Sequence, residues 1–194
     1  MDNIIAVWWD SIAWWAHDFE KWGRVARLWN HPSLEVYNLG VSWDATIDVI
    51  KRFENECSSR KPDVIIFAIG INDSLLRATN QNNVSLEKFQ DNINQLYTLA
   101  QKFTKKVIFL SLTKVNESKT TPIPWNKKIS YYMKYVTAYN NVIKNFCMQN
   151  NVFFIDVFDL LTLDDLEDGL HPNTQGHEKI YNKVTDFLLD NKIV

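Results

Sequence analysis

Six apolar residues in succession, Ile4-Ile5-Ala6-Val7-Trp8-Trp9, end abruptly at Asp10-Ser11, and no other stretch restricts the fold as much. An unbroken apolar run of strand length is the pattern of a strand covered on both faces, as in a parallel sheet. Residues 16–29 follow with Phe19, Trp22, Ala26 and Trp29 at helical spacing. The same alternation then repeats. Residues 34–39 read as a second strand closing at Gly40. Residues 44–56 read as a helix with Ala45, Val49, Ile50 and Phe53 on one stripe, and residues 64–69 as a third strand ending at Gly70. Ser85 caps a helix that runs through Phe103. Residues 107–112 form the fourth strand, 130–149 a long helix and 152–155 the fifth strand. Residues 158–163 read as a short helical turn, and Thr174–Asp190 as the last helix. The Asn- and Gln-rich 78–84 and the proline-stiffened 113–128 read as loops, the second too long for a mere connector.

Five β-α units with no linker and no internal repeat predict a single domain over residues 1–194. Its class is α/β: a five-stranded parallel sheet with helices on both faces. Strand ends in such a sheet converge along one edge, so residues distant in sequence meet there in one cleft.

The net charge of −2 argues against nucleic acid or an anionic membrane as main partner, because both favour a basic face. With 46% hydrophobic and 23% charged residues, disorder is excluded. Cys57 and Cys147 sit far apart in helical segments without metal or redox spacing, so they read as buried thiols of a reducing compartment. Asp2 stands where a secretory signal needs a basic residue, and the apolar run after it is too short for one. No stretch nears the roughly 18 apolar residues of a membrane span. The expectation is a cytoplasmic protein with no membrane span; a homo-oligomer is left open.

Candidate chemistry lies where strands end. Ser11 follows the first strand, Gly40 the second and Asn72 the third, while Asp168 and His171 precede the final helix. In Asp168-Gly169-Leu170-His171-Pro172, an Asp three residues before a His can hold one ring nitrogen and leave the other as a base toward a serine. The same residues also suit an Asp-Gly turn before a helix start. Ser11 by itself is an ordinary helix N-cap, or a nucleophile whose following N–H groups favour negative charge. Gly40 offers an unhindered N–H, and Asn72 can donate its side-chain amide to an oxyanion. His17, His31 and His177 read as structural or surface histidines.

Taken together, Asp10-Ser11, Gly40, Gly70-x-Asn72-Asp73 and Asp168-x-x-His171 resemble the SGNH/GDSL hydrolase family over nearly the whole chain. Asn72-Asp73-Ser74 and Thr121-Pro122-Ile123-Pro124-Trp125 look like small intracellular bacterial members. The resemblance implies a flavodoxin-like, three-layer α/β/α sandwich and metal-free, cofactor-free hydrolysis of a small-molecule ester. It implies Ser11 as nucleophile, His171 as base and Asp168 as its orienting carboxylate, with the N–H groups of Ser11 and Gly40 and the Asn72 side chain as oxyanion hole. Asp10 braces the turn in this reading.

Tryptophan marks where the chain departs from the family. Trp9, Trp15 and Trp43 stand at family glycine positions, and the chain has 5 Gly where average usage of about 7% gives roughly 13. Either these turns do without positive φ and their indoles, with Trp125, line the cleft for substrate, or the indoles replace glycines and fill the pocket. Two other function classes compete: a binding protein with a Trp-lined cleft on the same scaffold, and a nucleotide or flavin binder, for which a Gly-rich phosphate loop is missing. The acidic run Asp164-Asp165-Leu166-Glu167-Asp168 lacks the paired histidines of a metal site.

Overall fold

The structure, a computed structural model, describes residues 3–12 and 34–194. The helix expected over residues 16–29, and with it Trp15, His17 and His31, lie outside the described residues. In chain order the elements are β1 (Asn3–Trp9), β2 (Leu34–Asn38), α1 (Thr46–Arg60), β3 (Val64–Ala68), α2 (Ile71–Ser74), β4 (Leu76–Arg77), α3 (Leu86–Ala100) and β5 (Lys106–Leu110). They continue with α4 (Glu117–Thr120), β6 (Ile129–Ser130), α5 (Met133–Asn150), β7 (Phe153–Ile155), a 3₁₀ turn at Leu163–Asp165 and α6 (Thr174–Asp190).

Five of the strands pair in parallel in the order β2-β1-β3-β5-β7, with Trp9 opposite Ala68 at the end of the β1–β3 ladder. That is the flavodoxin-like order, in which the chain winds outward in both directions from the junction of β1 and β3. Every residue of β3, and β1 from Ile5 onward, is buried, which requires helices over both faces of the sheet. The chain is a three-layer α/β/α sandwich, with α1, α3 and α5 packed in series on one face.

Aromatic rings fill the space under that layer. Trp8, Phe53, Phe67 and Phe109 run across the sheet with successive centroids 4.6, 5.4 and 5.1 Å apart, and Phe109 meets Phe146 of α5 at 5.7 Å. A buried indole needs an acceptor for its N–H. Trp8 donates to Glu56 at 2.8 Å; Arg52 holds the same carboxylate at 2.6 Å, Asp44 at 2.7 Å and the Leu39 carbonyl at 2.8 Å. This network fixes α1 to the ends of β1 and β2.

Several boundaries differ from the sequence reading: α3 ends at Ala100 and not at Phe103, and the helical turn expected over residues 158–163 is a 3₁₀ turn at Leu163–Asp165. Helix α1 begins at Thr46, because the Asp44 carboxylate is taken by Arg52 and the carboxylate of Asp73, 27 residues away, accepts the Thr46 N–H instead. It runs on to Arg60, where Lys61 ends it in the left-handed region at φ 49°. Residues 113–128 are no plain loop. They contain α4, and Ser130, expected to start the long helix, instead joins Ile129 in pairing antiparallel with Leu76–Arg77, so that helix begins at Met133. The caps at Ser85, which accepts from Lys88 N–H at 3.2 Å, and the bounds of α6 agree with the sequence. Among the described residues no helix is long and apolar enough to cross a membrane.

Phe53 is fully buried and touches Trp8, Phe67 and Phe103. Its replacement in Phe53→Ala should cost about 3–5 kcal/mol by lost contacts and cavity formation. The expected readout is a lower urea midpoint at an unchanged slope.

Candidate active site

The end of β1 delivers Ser11 to the edge of the sheet next to β3, at the junction where the winding reverses. Asp10, 1% exposed, turns its carboxylate back to accept the Ile12 N–H at 3.0 Å, which tightens the turn around Ser11. The Ser11 hydroxyl lies 2.9 Å from His171 Nε2. On the other side of the ring, His171 Nδ1 lies 2.6 Å from Asp168 Oδ2. A carboxylate can only accept, so Nδ1 carries the hydrogen, which leaves Nε2 as the ring nitrogen that can take a proton from the serine hydroxyl.

Asp168 and His171 sit on a hook that closes on itself. Leu166 bridges Pro172, and Glu167 N–H donates to the His171 carbonyl at 3.0 Å. Inside it, Asp168 Oδ1 accepts the N–H groups of Leu170 and His171 at 2.9 and 2.8 Å. Gly169 makes the hook: its φ is +89°, and a Cβ there would lie 2.7 Å from Lys119 Cβ and 3.2 Å from the Asn116 carbonyl. Asn116 N–H in turn donates to the Gly169 carbonyl at 2.7 Å, so α4 backs the hook. Burial alone would raise the Asp168 pKa. The His171 hydrogen bond and charge and the two backbone donors outweigh it and hold the carboxyl well below the usual range.

The third strand end supplies Asn72. Gly70 turns the chain at φ +130° where a Cβ would meet Phe89 Cζ at 2.9 Å. Asn72, 2% exposed, donates from Nδ2 to the Asp44 carbonyl at 3.1 Å and accepts at Oδ1 from the Tyr131 hydroxyl at 2.8 Å. An amide nitrogen carries two hydrogens. Gly40 N–H, another of the three predicted oxyanion donors, points to Asn38 Oδ1 at 3.0 Å. Neighbouring Asp73 is fully buried; burial pushes its carboxyl up to about 7 against the Thr46 hydrogen bonds, with the Asp10 charge adding to the rise. Tyr131 and Thr46 escaped the sequence reading, since nothing local marks a partner tens of residues away; Asn38, whose partner is two residues on, was also missed, and Asp73 was read only as part of the Gly70-x-Asn72-Asp73 motif.

The structure separates the tryptophans. Trp125 is 47% exposed, with its ring 5.8 Å from that of His171. Trp43 is 48% exposed and holds φ 71°, a backbone that costs a non-glycine residue roughly 1–2 kcal/mol. Trp9 is different: it is an ordinary strand residue, 5% exposed and packed in the core. Of the two readings, Trp9 follows the one without positive φ, but its indole is buried instead of standing exposed at the cleft mouth. Trp15 lies outside the described residues. His177, expected at or near the surface, is fully buried in α6, because the helix turns its Gly176–His177–Ile180 face inward. Within the acidic run, Asp165 binds Lys179 at 2.7 Å and Thr162 at 2.8 Å, and Asp168 binds His171. Among the described residues no group of three His, Cys, Asp or Glu is placed to hold a metal. Cys57 and Cys147 are buried free thiols, each pushed up to about 12 by burial.

The sequence matches the model of the GDSL-like Lipase/Acylhydrolase family over residues 2–179. An acetylxylan esterase of Geobacillus stearothermophilus is 23% identical over 171 residues, 86% of this chain and 73% of that protein. An uncharacterized lipoprotein of Bacillus subtilis is 22% identical over 119 residues, 61% of this chain; the match spans about half, 47%, of the lipoprotein. Among solved structures, a lipase/acylhydrolase from Enterococcus faecalis superposes with a TM-score of 0.76 at 20% identity, covering 96% of this chain and 95% of the other. The Geobacillus stearothermophilus acetylxylan esterase superposes with a TM-score of 0.74 at 20% identity, over 96% and 94% of the two chains. These superpositions show a shared fold.

A depressed carboxyl pKa has a thermodynamic consequence. Asp168 contributes stability above its unfolded pKa of about 3.9 and loses it as the pH falls below that value toward the folded-state pKa. Wild-type stability should therefore fall more steeply below about pH 4 than that of Asp168→Asn. Urea unfolding across this range checks it; parallel curves throughout would remove the Asp168 contribution.

Proposed function

The chain belongs to the GDSL-like lipase/acylhydrolase family, a family of carboxylic ester hydrolases, and on that premise we propose that it is a serine esterase working through Ser11, His171 and Asp168. The observation that carries the reading is the unbroken line from Ser11 Oγ to His171 Nε2 at 2.9 Å and from His171 Nδ1 to Asp168 at 2.6 Å. In that line Ser11 Oγ bonds to the ester carbonyl carbon while its proton passes to Nε2. The tetrahedral oxyanion is met by the Asn72 amide and the N–H groups of Ser11 and Gly40. Gly40 N–H serves there by swinging from, or sharing with, Asn38 Oδ1. As the C–O bond to the alcohol breaks, Nε2 returns the proton to the leaving oxygen. Water then attacks the acyl-enzyme by the same route and frees Ser11.

Short acyl or acetyl esters are the proposed substrates, with a small lipid or an acetylated sugar as the alcohol side. Trp125, standing over His171, supports this by walling the side of the base, and Trp43 offers a second exposed ring. Trp9, being buried, is left out of the substrate contacts. A binding protein on the same scaffold is the second reading, favoured by these two exposed indoles. The free, buried cysteines suit a reducing, cytoplasmic location.

A fluorophosphonate probe should label wild type and not Ser11→Ala, and Ser11→Ala should lower p-nitrophenyl acetate hydrolysis at least about 10³-fold. Equal rates for the two would overturn the serine mechanism, and an unlabelled wild type would favour the binding protein. Trp125→Ala should raise the ratio of octanoyl to acetyl ester turnover several-fold, as removal of the indole makes room; an unchanged ratio would take Trp125 out of the acyl site.

A further inference from the structure

Tyr131 is fully buried between β6 and α5, at the root of the excursion that carries Trp125. Its N–H donates to the Thr120 carbonyl and its carbonyl accepts from Thr120 Oγ1, both at 2.9 Å, so the backbone at this point is fixed. The hydroxyl reaches Asn72 Oδ1 at 2.8 Å across 59 residues of sequence. On the opposite side of the same amide, Nδ2 donates to the Asp44 carbonyl at 3.1 Å. A carbonyl only accepts, so the amide nitrogen must face Asp44 and the amide oxygen must face Tyr131. The Tyr131 hydroxyl is therefore the donor.

We infer that Tyr131 is a positioning residue for ester hydrolysis, its hydroxyl locking the Asn72 amide so that the second N–H of Nδ2 stays directed at the developing oxyanion. The inference rests on the serine-esterase reading. Two physical effects support it. The Tyr131 and Asp44 bonds act on opposite atoms of one planar group and remove both its rotation and its flip. A donor on the amide oxygen also polarises the amide and strengthens its N–H groups as donors. Burial, followed by the charges of Asp10, Asp168 and Asp73, pushes the phenol well above its ordinary range, so the hydroxyl keeps its proton wherever the enzyme works.

Tyr131→Phe keeps the ring and removes only the hydroxyl. The kcat for p-nitrophenyl acetate should fall about 10–50-fold, less than the roughly 10²–10³-fold cost of deleting an oxyanion donor outright. KM should stay within about two-fold. In an Asn72→Ala background the same change should cost less than about two-fold, because no amide remains to be held. A neutral Tyr131→Phe, an effect on KM alone, or an equal loss in both backgrounds overturns the inference. A second measurement needs no variant: on binding a boronic acid, the Tyr131 Cζ signal in wild type should move together with the Asn72 side-chain amide. A Tyr131 signal that stays still while the Asn72 amide moves also overturns it. Ser11→Ala separates the two levels. Full activity there ends the esterase reading and this inference with it, whereas an inactive Ser11→Ala beside a neutral Tyr131→Phe ends the inference alone.

Discussion

One buried carboxylate organises the sheet edge that carries the proposed active site. Asp73, at the third strand end, accepts the backbone N–H and the hydroxyl of Thr46, and Asn92 reaches the same hydroxyl at 2.8 Å. A charge or hydrogen-bonding group with no access to water is tolerated only when its partners are supplied by the protein. Here that requirement draws the N-terminus of α1 against α2. The stretch between β2 and α1, which holds Gly40, Trp43 and Asp44, is carried with it. Asn72, the next residue along, can then reach the Asp44 carbonyl. Two proposed oxyanion donors from different strands thus share a single anchor, and the aromatic layer under α1 keeps that anchor rigid from below.

The fold was readable in the sequence because burial on both faces leaves an unmistakable trace. The apolar runs at residues 4–9 and 64–69 could be little else than central parallel strands, and both are. Ser11 and Asn72 could be picked out because each follows the end of an apolar strand run, and Asp168 and His171 because an Asp and a His three apart precede the last helix. What stayed hidden depends on contacts between distant segments. Helix α1 starts two residues after the expected Asp44, because the Thr46 N–H is taken by Asp73. The β4–β6 ribbon is two residues a side, too short for any alternation to register. His177 looks like a surface histidine until α6 is docked. Tyr131 lies in a stretch rich in tyrosine with no local signal that one hydroxyl is aimed at Asn72.

The tryptophans show how one residue type at similar sequence positions meets different constraints. Trp8 and Trp9 point to opposite sides of β1; one joins the aromatic layer under α1 and the other packs on the reverse face. Trp43 sits on a backbone that glycine would adopt more cheaply, and its indole stands half in solvent. Trp125 is held beside His171 by an excursion that is pinned at both of its ends, at Thr120–Tyr131 and through β6. Counting indoles says little about the cleft; the backbone under each decides what it can contribute.

The self-closed hook over residues 166–172 implies a modular inheritance of the proposed machinery. Base and orienting carboxylate are three residues apart, bound to one another and to backbone donors within the same short segment, and braced from outside chiefly by Asn116 and Lys119. They can be transplanted, lost or repaired as a cassette. Nucleophile and oxyanion donors have no such independence, since they are spread over three strand ends that a shift of the sheet would move separately. Drift should therefore erode activity first by loosening the alignment between cassette and sheet, long before the Asp–His pair itself is broken.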